Sequence, residues 1–186
     1  AFDLRINTDK TEHRLANVAG YIPGKRSDEI ILFSAHHDHI GIRTAVEGDS
    51  IANGANDNAS GVTAVIQLAH HFASQPTPER RIYFVTFTAE EMGGYGSQYF
   101  SEQLNPEQIV AMFNIEMIGK PAVSGPNSAW ITGYERSTFG QILTDSPPAR
   151  THTRDLMDNH CGLSHALWTA DASRVLTTSS VKAGRR

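Results

Sequence analysis

Four short segments place acids and histidines where an apolar stretch ends or is interrupted. They are SAHHDH (Ser34–His39), ANDNASG (Ala55–Gly61), TAEEMGGYGS (Thr88–Ser97) and NIEMIG (Asn114–Gly119). A carboxylate carried into a core is costly unless it is paired or bound to a cation. Carboxylates at the ends of several core strands therefore need a common counter-charge, and a pair of divalent cations supplies one. The fold must bring those strand ends together.

The pattern between the segments predicts an α/β arrangement. Leu15–Ile22 reads as a strand closed by Pro23-Gly24, and Ile30–Ala35 as a short, continuous apolar strand. The turn chemistry between them predicts an antiparallel pair. His39–Asn56 reads as a long loop. Asn58 or Ser60 is expected to cap a helix in which Val62, Val65, Ile66, Ala69 and Phe72 recur at helical spacing. Gln75-Pro76-Thr77-Pro78 ends that helix. Arg81–Thr88, rich in β-branched and aromatic residues, is the strongest strand signal. Gly93–Gln103 reads as a loop entering a short helix, Val110–Ile118 as a buried strand, Ala129–Thr132 as a strand and Glu135–Thr144 as a helix. Strands alternating with helices predict a three-layer sandwich with a mixed, mostly parallel sheet and helices on both faces. The acids then fall on the rim where open α/β sheets place their sites.

A chain of 186 residues suffices for one domain with a sizeable core. Residues 1–186 are expected to form one catalytic domain, atypical over 151–186 and incomplete at its C-terminus. A net charge of −4 argues against a nucleic-acid partner. No apolar run is long enough to span a bilayer, so no membrane partner is expected. The single cysteine, Cys161, excludes an internal disulfide framework. The start at Ala1 without methionine is read as that of a processed chain or fragment, and the expected location is secreted or periplasmic.

Each acidic segment has a plain reading beside the metal one. On a strand His36 and Asp38 share a face, and a ligating imidazole usually gives its other N–H to a carboxylate. The plain alternative is a polar, histidine-rich strand end. Asp57, next to Asn56, Asn58 and Ser60 and before an apolar helix, also suits a helix N-cap. Glu90-Glu91 suits either a surface turn or a pair in which one acid binds metal and the other moves protons. Glu116 breaks an apolar run, where an unpaired glutamate is rare.

Taken together and in this order, AHHD, GANDNASG, TAEEMGGYGS and NIEMIG resemble the M28 family of zinc aminopeptidases, over roughly residues 17–143. The resemblance implies that His36 binds one zinc, that Asp38 orients His36, and that Asp57 bridges two zincs. It implies Glu90 as general base, Glu91 as ligand of the second zinc and Glu116 as ligand of the first. It also implies a cis peptide bond at Asp57-Asn58, and a peptide substrate whose free N-terminus lies near the metals. The family's fifth ligand, a histidine in a C-terminal segment, has no match here. His160 and His165 are the substitutes considered, beside a truncated or frame-shifted C-terminus. On this count the first site has three ligands and the second only Asp57 and Glu91, so one metal is expected to bind well and the other weakly. The rival readings are a glutaminyl-cyclase-like enzyme of the same fold with one zinc, and a non-catalytic binding module or inactive fragment. The intact GANDNASG segment favours the peptidase. Side-chain preference and oligomeric state are not legible.

Overall fold

The computed structural model describes residues 12–121, 129–132, 134–145 and 152–154. In chain order the elements are β1 (Val18–Ile22), β2 (Arg26–His36), β3 (Ile42–Val46), β4 (Asp49–Ile51), α1 (Ser60–Ala73), β5 (Arg80–Phe87), α2 (Tyr95–Ser101), β6 (Ile109–Asn114), β7 (Ala129–Ile131), α3 (Phe139–Asp145) and β8 (His152–Arg154). The main sheet runs β1-β5-β2-β6. β2 is parallel to both β5 and β6, and β1 is antiparallel to β5. The sheet is therefore mixed and mostly parallel, as the alternation of elements predicts.

Alternation along the strands builds two apolar layers. On one face Ile30, Leu32, Val85, Phe87, Ile109 and Met112 are buried, with Tyr83, Phe100 and Leu104 packed against them. On the other, Ala35, Ile82 and Phe84 meet Val65 of α1, flanked by Phe33, Val62, Leu68, Ala69 and Phe72. Phe100 belongs to α2, so the two helices cover opposite faces. Each fully buried aliphatic or aromatic side chain here contributes about 1.5–3 kcal/mol over leaving it in water.

The structure corrects several expectations. β1 does not pair with β2, because β5 lies between them. After β1 the chain crosses over the start of β5, where Lys25 N–H donates to the Pro78 carbonyl and Arg26 N–H to the Glu79 carbonyl. Gly24 permits the crossing, since a Cβ there would collide with the backbone of Arg80 and Arg81. The expected loop over His39–Asn56 contains the β3–β4 hairpin. Its turn, Glu47-Gly48, has φ of 53° and 88°, as a two-residue hairpin turn requires. The exposed Ile42, Val46 and Ile51 leave no inward face for periodicity to detect. In α1 Ile66 points outward, 58% exposed, and Leu68 takes part in the apolar face instead. β6 stops at Asn114, so Glu116 lies beyond the strand rather than inside it. The strand read at Ala129–Thr132 is β7, paired parallel with β8 in a separate two-stranded sheet. The helix read at Glu135–Thr144 divides into a short turn at Tyr134–Arg136 and α3.

Candidate metal centre

Because β2, β5 and β6 run in parallel, their C-terminal ends share one edge of the sheet. β2 delivers His36 there as its last residue, 2% exposed. The His36 Nδ1 lies 3.0 Å from the backbone carbonyl of Asp38, while the nearer Asp38 carboxylate oxygen is 3.8 Å away. The ring is thus held by the main chain of Asp38 and not by its carboxylate. β2 ends at His36, so the strand alternation that would stack Asp38 beside it no longer applies. The carboxylate instead accepts the backbone N–H groups of Glu90, at 3.0 Å, and Glu91, at 3.2 Å. Asp38 therefore ties the end of β2 to the turn that carries both glutamates.

That turn follows β5. Ala89 has φ of 54°, a left-handed conformation uncommon outside glycine. It reverses the chain so that Gly94 N–H reaches the Ala89 and Glu90 carbonyls. Glu90 and Glu91 are presented at the rim, 29% and 21% exposed. Beyond β6, Met117 has φ of 53° and likewise bends the chain beside Glu116.

Asp57 comes from the turn Ala55–Ala59 before α1. Two asparagines stitch this turn to the segment after β6. The Asn58 Nδ2 donates to the Ile115 carbonyl at 3.0 Å, and its Oδ1 accepts from Gly61 N–H at 3.1 Å and Met117 N–H at 3.3 Å. The Asn56 Oδ1 accepts from Gly119 N–H at 2.8 Å. Gly61 allows the approach, because a Cβ there would strike the Ile115 carbonyl. The Asp57-Asn58 peptide bond is cis. Ala59, at the N-cap of α1, makes no capping side-chain bond, and Asn58 meets the helix through Gly61 instead.

Two groups of donor atoms result among the described residues, and Asp57 belongs to both. One is His36, Asp57 and Glu116; the other is His39, Asp57 and Glu91. The Asp57 Oδ1 lies 3.1 Å from His36 Nε2, and its Oδ2 lies 3.9 Å from His39 Nδ1. Glu116 Oε1 and Glu90 Oε2 stand 3.8 and 3.9 Å from His36 Nε2. His39 Nδ1 is 2.6 Å from Glu91 Oε1. Sequence reasoning assigned five of these residues, His36, Asp57, Glu90, Glu91 and Glu116, and the fold brings them together. It gives no role to His39 and does not assign the stitching roles of Asn56 and Asn58. The AHHDH spacing was the only available signal for His39. His160 and His165 lie outside the described residues.

The electrostatics fit a cationic occupant. His36 Nε2 and Asp57 Oδ1 are buried and have no hydrogen-bond partner. With Nδ1–H directed at the Asp38 carbonyl, Nε2 and the carboxylate oxygen would be two acceptors facing each other, an arrangement that needs a proton or a cation. Burial, the largest influence on His36, would lower its pKa. Neighbouring Glu116, then the charge of Glu90 and the Asp38 carbonyl, outweigh it and push His36 up to about 9. Glu90 is also raised, first by burial, against the lowering by His36, and further by the charges of Glu116, Glu91 and Asp38. Imidazole and carboxylate donors of this kind suit zinc.

Known proteins resemble this chain over most of its length. The model of peptidase family M28 matches residues 17–166. The aminopeptidase YwaD of Bacillus subtilis is 30% identical over 119 residues, which is 62% of this chain and 24% of that protein. An aminopeptidase of Pseudomonas aeruginosa is 33% identical over 121 residues, 63% of this chain and 21% of its own length. The chain thus spans under a quarter of the length of these relatives. Among solved structures, the aminopeptidase from Aneurinibacillus sp. strain AM-1 superposes with a TM-score of 0.55 at 25% identity, over 75% of this chain and 34% of that one. A Bacillus subtilis zinc aminopeptidase gives 0.54 at 21% identity over 74% and 34%, a likeness of fold.

Proposed function

The chain belongs to peptidase family M28, and on that premise we propose that it is an aminopeptidase whose site holds two zinc ions. The observation that carries this reading is the placement of Asp57, one oxygen toward His36 and the other toward His39. Such a carboxylate would serve two metals. His36, Asp57 and Glu116 would hold one ion; Asp57 and Glu91 would hold the other. Zinc, when bound, supplies a Lewis acid for the scissile carbonyl and a water of lowered pKa.

The chain's own groups supply the proton transfers and the positioning. Glu90 accepts the proton of the attacking water and returns it to the leaving amine. Asp38 fixes the backbone from which Glu90 projects. Asp38, Asp57, Glu90, Glu91 and Glu116 make the rim acidic, which favours a substrate's free α-ammonium group. Turnover of an aminoacyl anilide, its loss on acetylating the substrate amine, and its removal by a chelator with recovery on adding zinc would be the expected behaviour. Equal cleavage of the acetylated substrate would reject the aminopeptidase reading.

A further inference from the structure

We propose that Asn17 is a positioning residue for the general base: its side-chain amide closes the neck of the loop between β5 and α2 and so fixes where Glu90 stands. The inference rests on the reading of Glu90 above. Asn17 is half-buried, while Ala16 and Val18 on either side of it are exposed. It directly precedes β1, whose first residue, Val18, pairs with Thr86 of β5. Beyond that pair the backbone ladder stops and the Asn17 side chain takes over. Its Oδ1 accepts the Thr88 N–H at 3.1 Å, and its Nδ2 donates to the Gly96 carbonyl at 2.8 Å. Gly96 N–H in turn donates to the Thr88 carbonyl at 3.0 Å. Thr88 and Gly96 are thus joined twice, once directly and once through a single amide.

Residues 89–95 close into a tight loop on that neck, with Gly94 and Tyr95 N–H groups both reaching the Ala89 carbonyl. Asp38 steadies the loop at the glutamates, through the N–H groups of Glu90 and Glu91. Asn17 steadies it at the base. The chemistry required at position 17 is narrow: one acceptor for an N–H and one donor for a carbonyl, on a short side chain. An asparagine amide supplies both, and the two partners fix which end of the amide is the oxygen. Aspartate lacks the donor and would set a carboxylate oxygen against the Gly96 carbonyl. Gly96 belongs to the same device, because a Cβ there would collide with Asn17 Oδ1 and with the Thr88 carbonyl. Such holding matters for the reaction. A general base works only within hydrogen-bond reach of the proton it takes, and a misplacement of about 1 Å costs about 10²-fold in rate.

The competing role for Asn17 is to anchor the start of β1, with no hold on the glutamates. Asn17→Asp, nearly the same size, and Asn17→Ala separate the two. In the chain without substrate, amide hydrogen exchange at Gly94 and Gly96 should quicken by about tenfold or more in both variants, the size of one lost hydrogen bond. Thr88 should follow in Asn17→Ala, and the amides of β2 and α1 should not change. At saturating zinc, kcat for an aminoacyl anilide should fall by about 10- to 100-fold with KM held within about twofold, because the base is displaced and the substrate's binding groups are not. In the unmodified, isotope-labelled chain, coupling through the hydrogen bond should join Asn17 Nδ2 to the Gly96 carbonyl carbon. Its absence would overturn the assignment whether or not the variants fold. Unchanged exchange over 88–96 in a folded variant, faster exchange confined to β1, or a rise in KM with kcat held would also overturn it. Turnover absent from the unmodified chain would reject the aminopeptidase reading alone, and the exchange comparison would still decide for or against the hold of Asn17 on the loop.

Discussion

Glu90 stands 3.9 Å from His36 Nε2 at the mouth of the site, with its carboxyl pKa raised by burial and by neighbouring acids. Replacing it with glutamine keeps the shape and removes the basicity. Glu90→Gln should retain metal and lose turnover by about 10²–10⁴-fold. Steady-state kinetics with metal analysis on the same sample checks this, and near-normal activity would remove Glu90 from the mechanism. At this scale the sequence was most legible where residue type and chemistry coincide. A lone acid that interrupts an apolar run, such as Glu116, stands out by residue type, whereas Asp57, before an apolar helix, reads equally as an N-cap. His39 sends no such signal. It sits in a polar stretch, and only the turn after β2 and the closeness of Gly54 bring its ring to Glu91. Asp38 was legible as part of the site, but its contacts were not. Whether its carbonyl or its carboxylate meets the ring depends on where the strand stops.

The turn Ala55–Ala59 shows how an element can be fixed by contacts far away in sequence. Asn58 is 2% exposed, and its amide joins this turn to the chain beyond β6 through Ile115 and Met117, and to α1 through Gly61. Asn58→Ala would leave the buried Gly61 N–H unpaired, at about 1–3 kcal/mol, and would remove the partner of the part-buried Ile115 carbonyl and Met117 N–H. Thermal or denaturant unfolding should show that loss, together with weaker metal binding, because the turn carries Asp57. An unchanged melting temperature would mean that the turn holds itself. Gly61→Ala should be at least as damaging, since its Cβ would strike the Ile115 carbonyl. Asn58 reads as a capping residue in the sequence because local chemistry cannot reveal a partner some 57 residues away. The same limit explains the strand order. Turn residues between β1 and β2 favour reversal, but β5 offers β1 the partners Tyr83, Phe84 and Val85, and Gly24 lets the chain cross to reach them.

Across the whole molecule, the alternation of apolar strands and an amphipathic helix was enough to anticipate a mostly parallel sheet with its acids on one rim. The exposed β3–β4 hairpin escaped because neither of its faces is buried. The charge collected on the rim also sets how the metal-free chain responds to pH. His36 is raised from its ordinary 6.5 to about 9, so its stabilising contribution is complete below about 6.5 and is lost as pH rises through about 9. Glu90, raised as well, works in the same direction, its contribution beginning to fall as pH rises above the ordinary carboxylate value of 4.5. The melting temperature of chelator-treated protein should therefore fall between pH 6.5 and 9, and a flat profile over that range would argue against the coupled His36 site. Saturating zinc should raise stability by about 2.7 kcal/mol at a hundredfold excess over Kd. The most direct test of the account is the bridge itself, because one carboxylate is asked to serve both ions. Zinc titration of the metal-free chain and of Asp57→Asn decides it. The account predicts two sites in the unmodified chain and the weakening of both together in Asp57→Asn. Two undisturbed sites in the variant would contradict it.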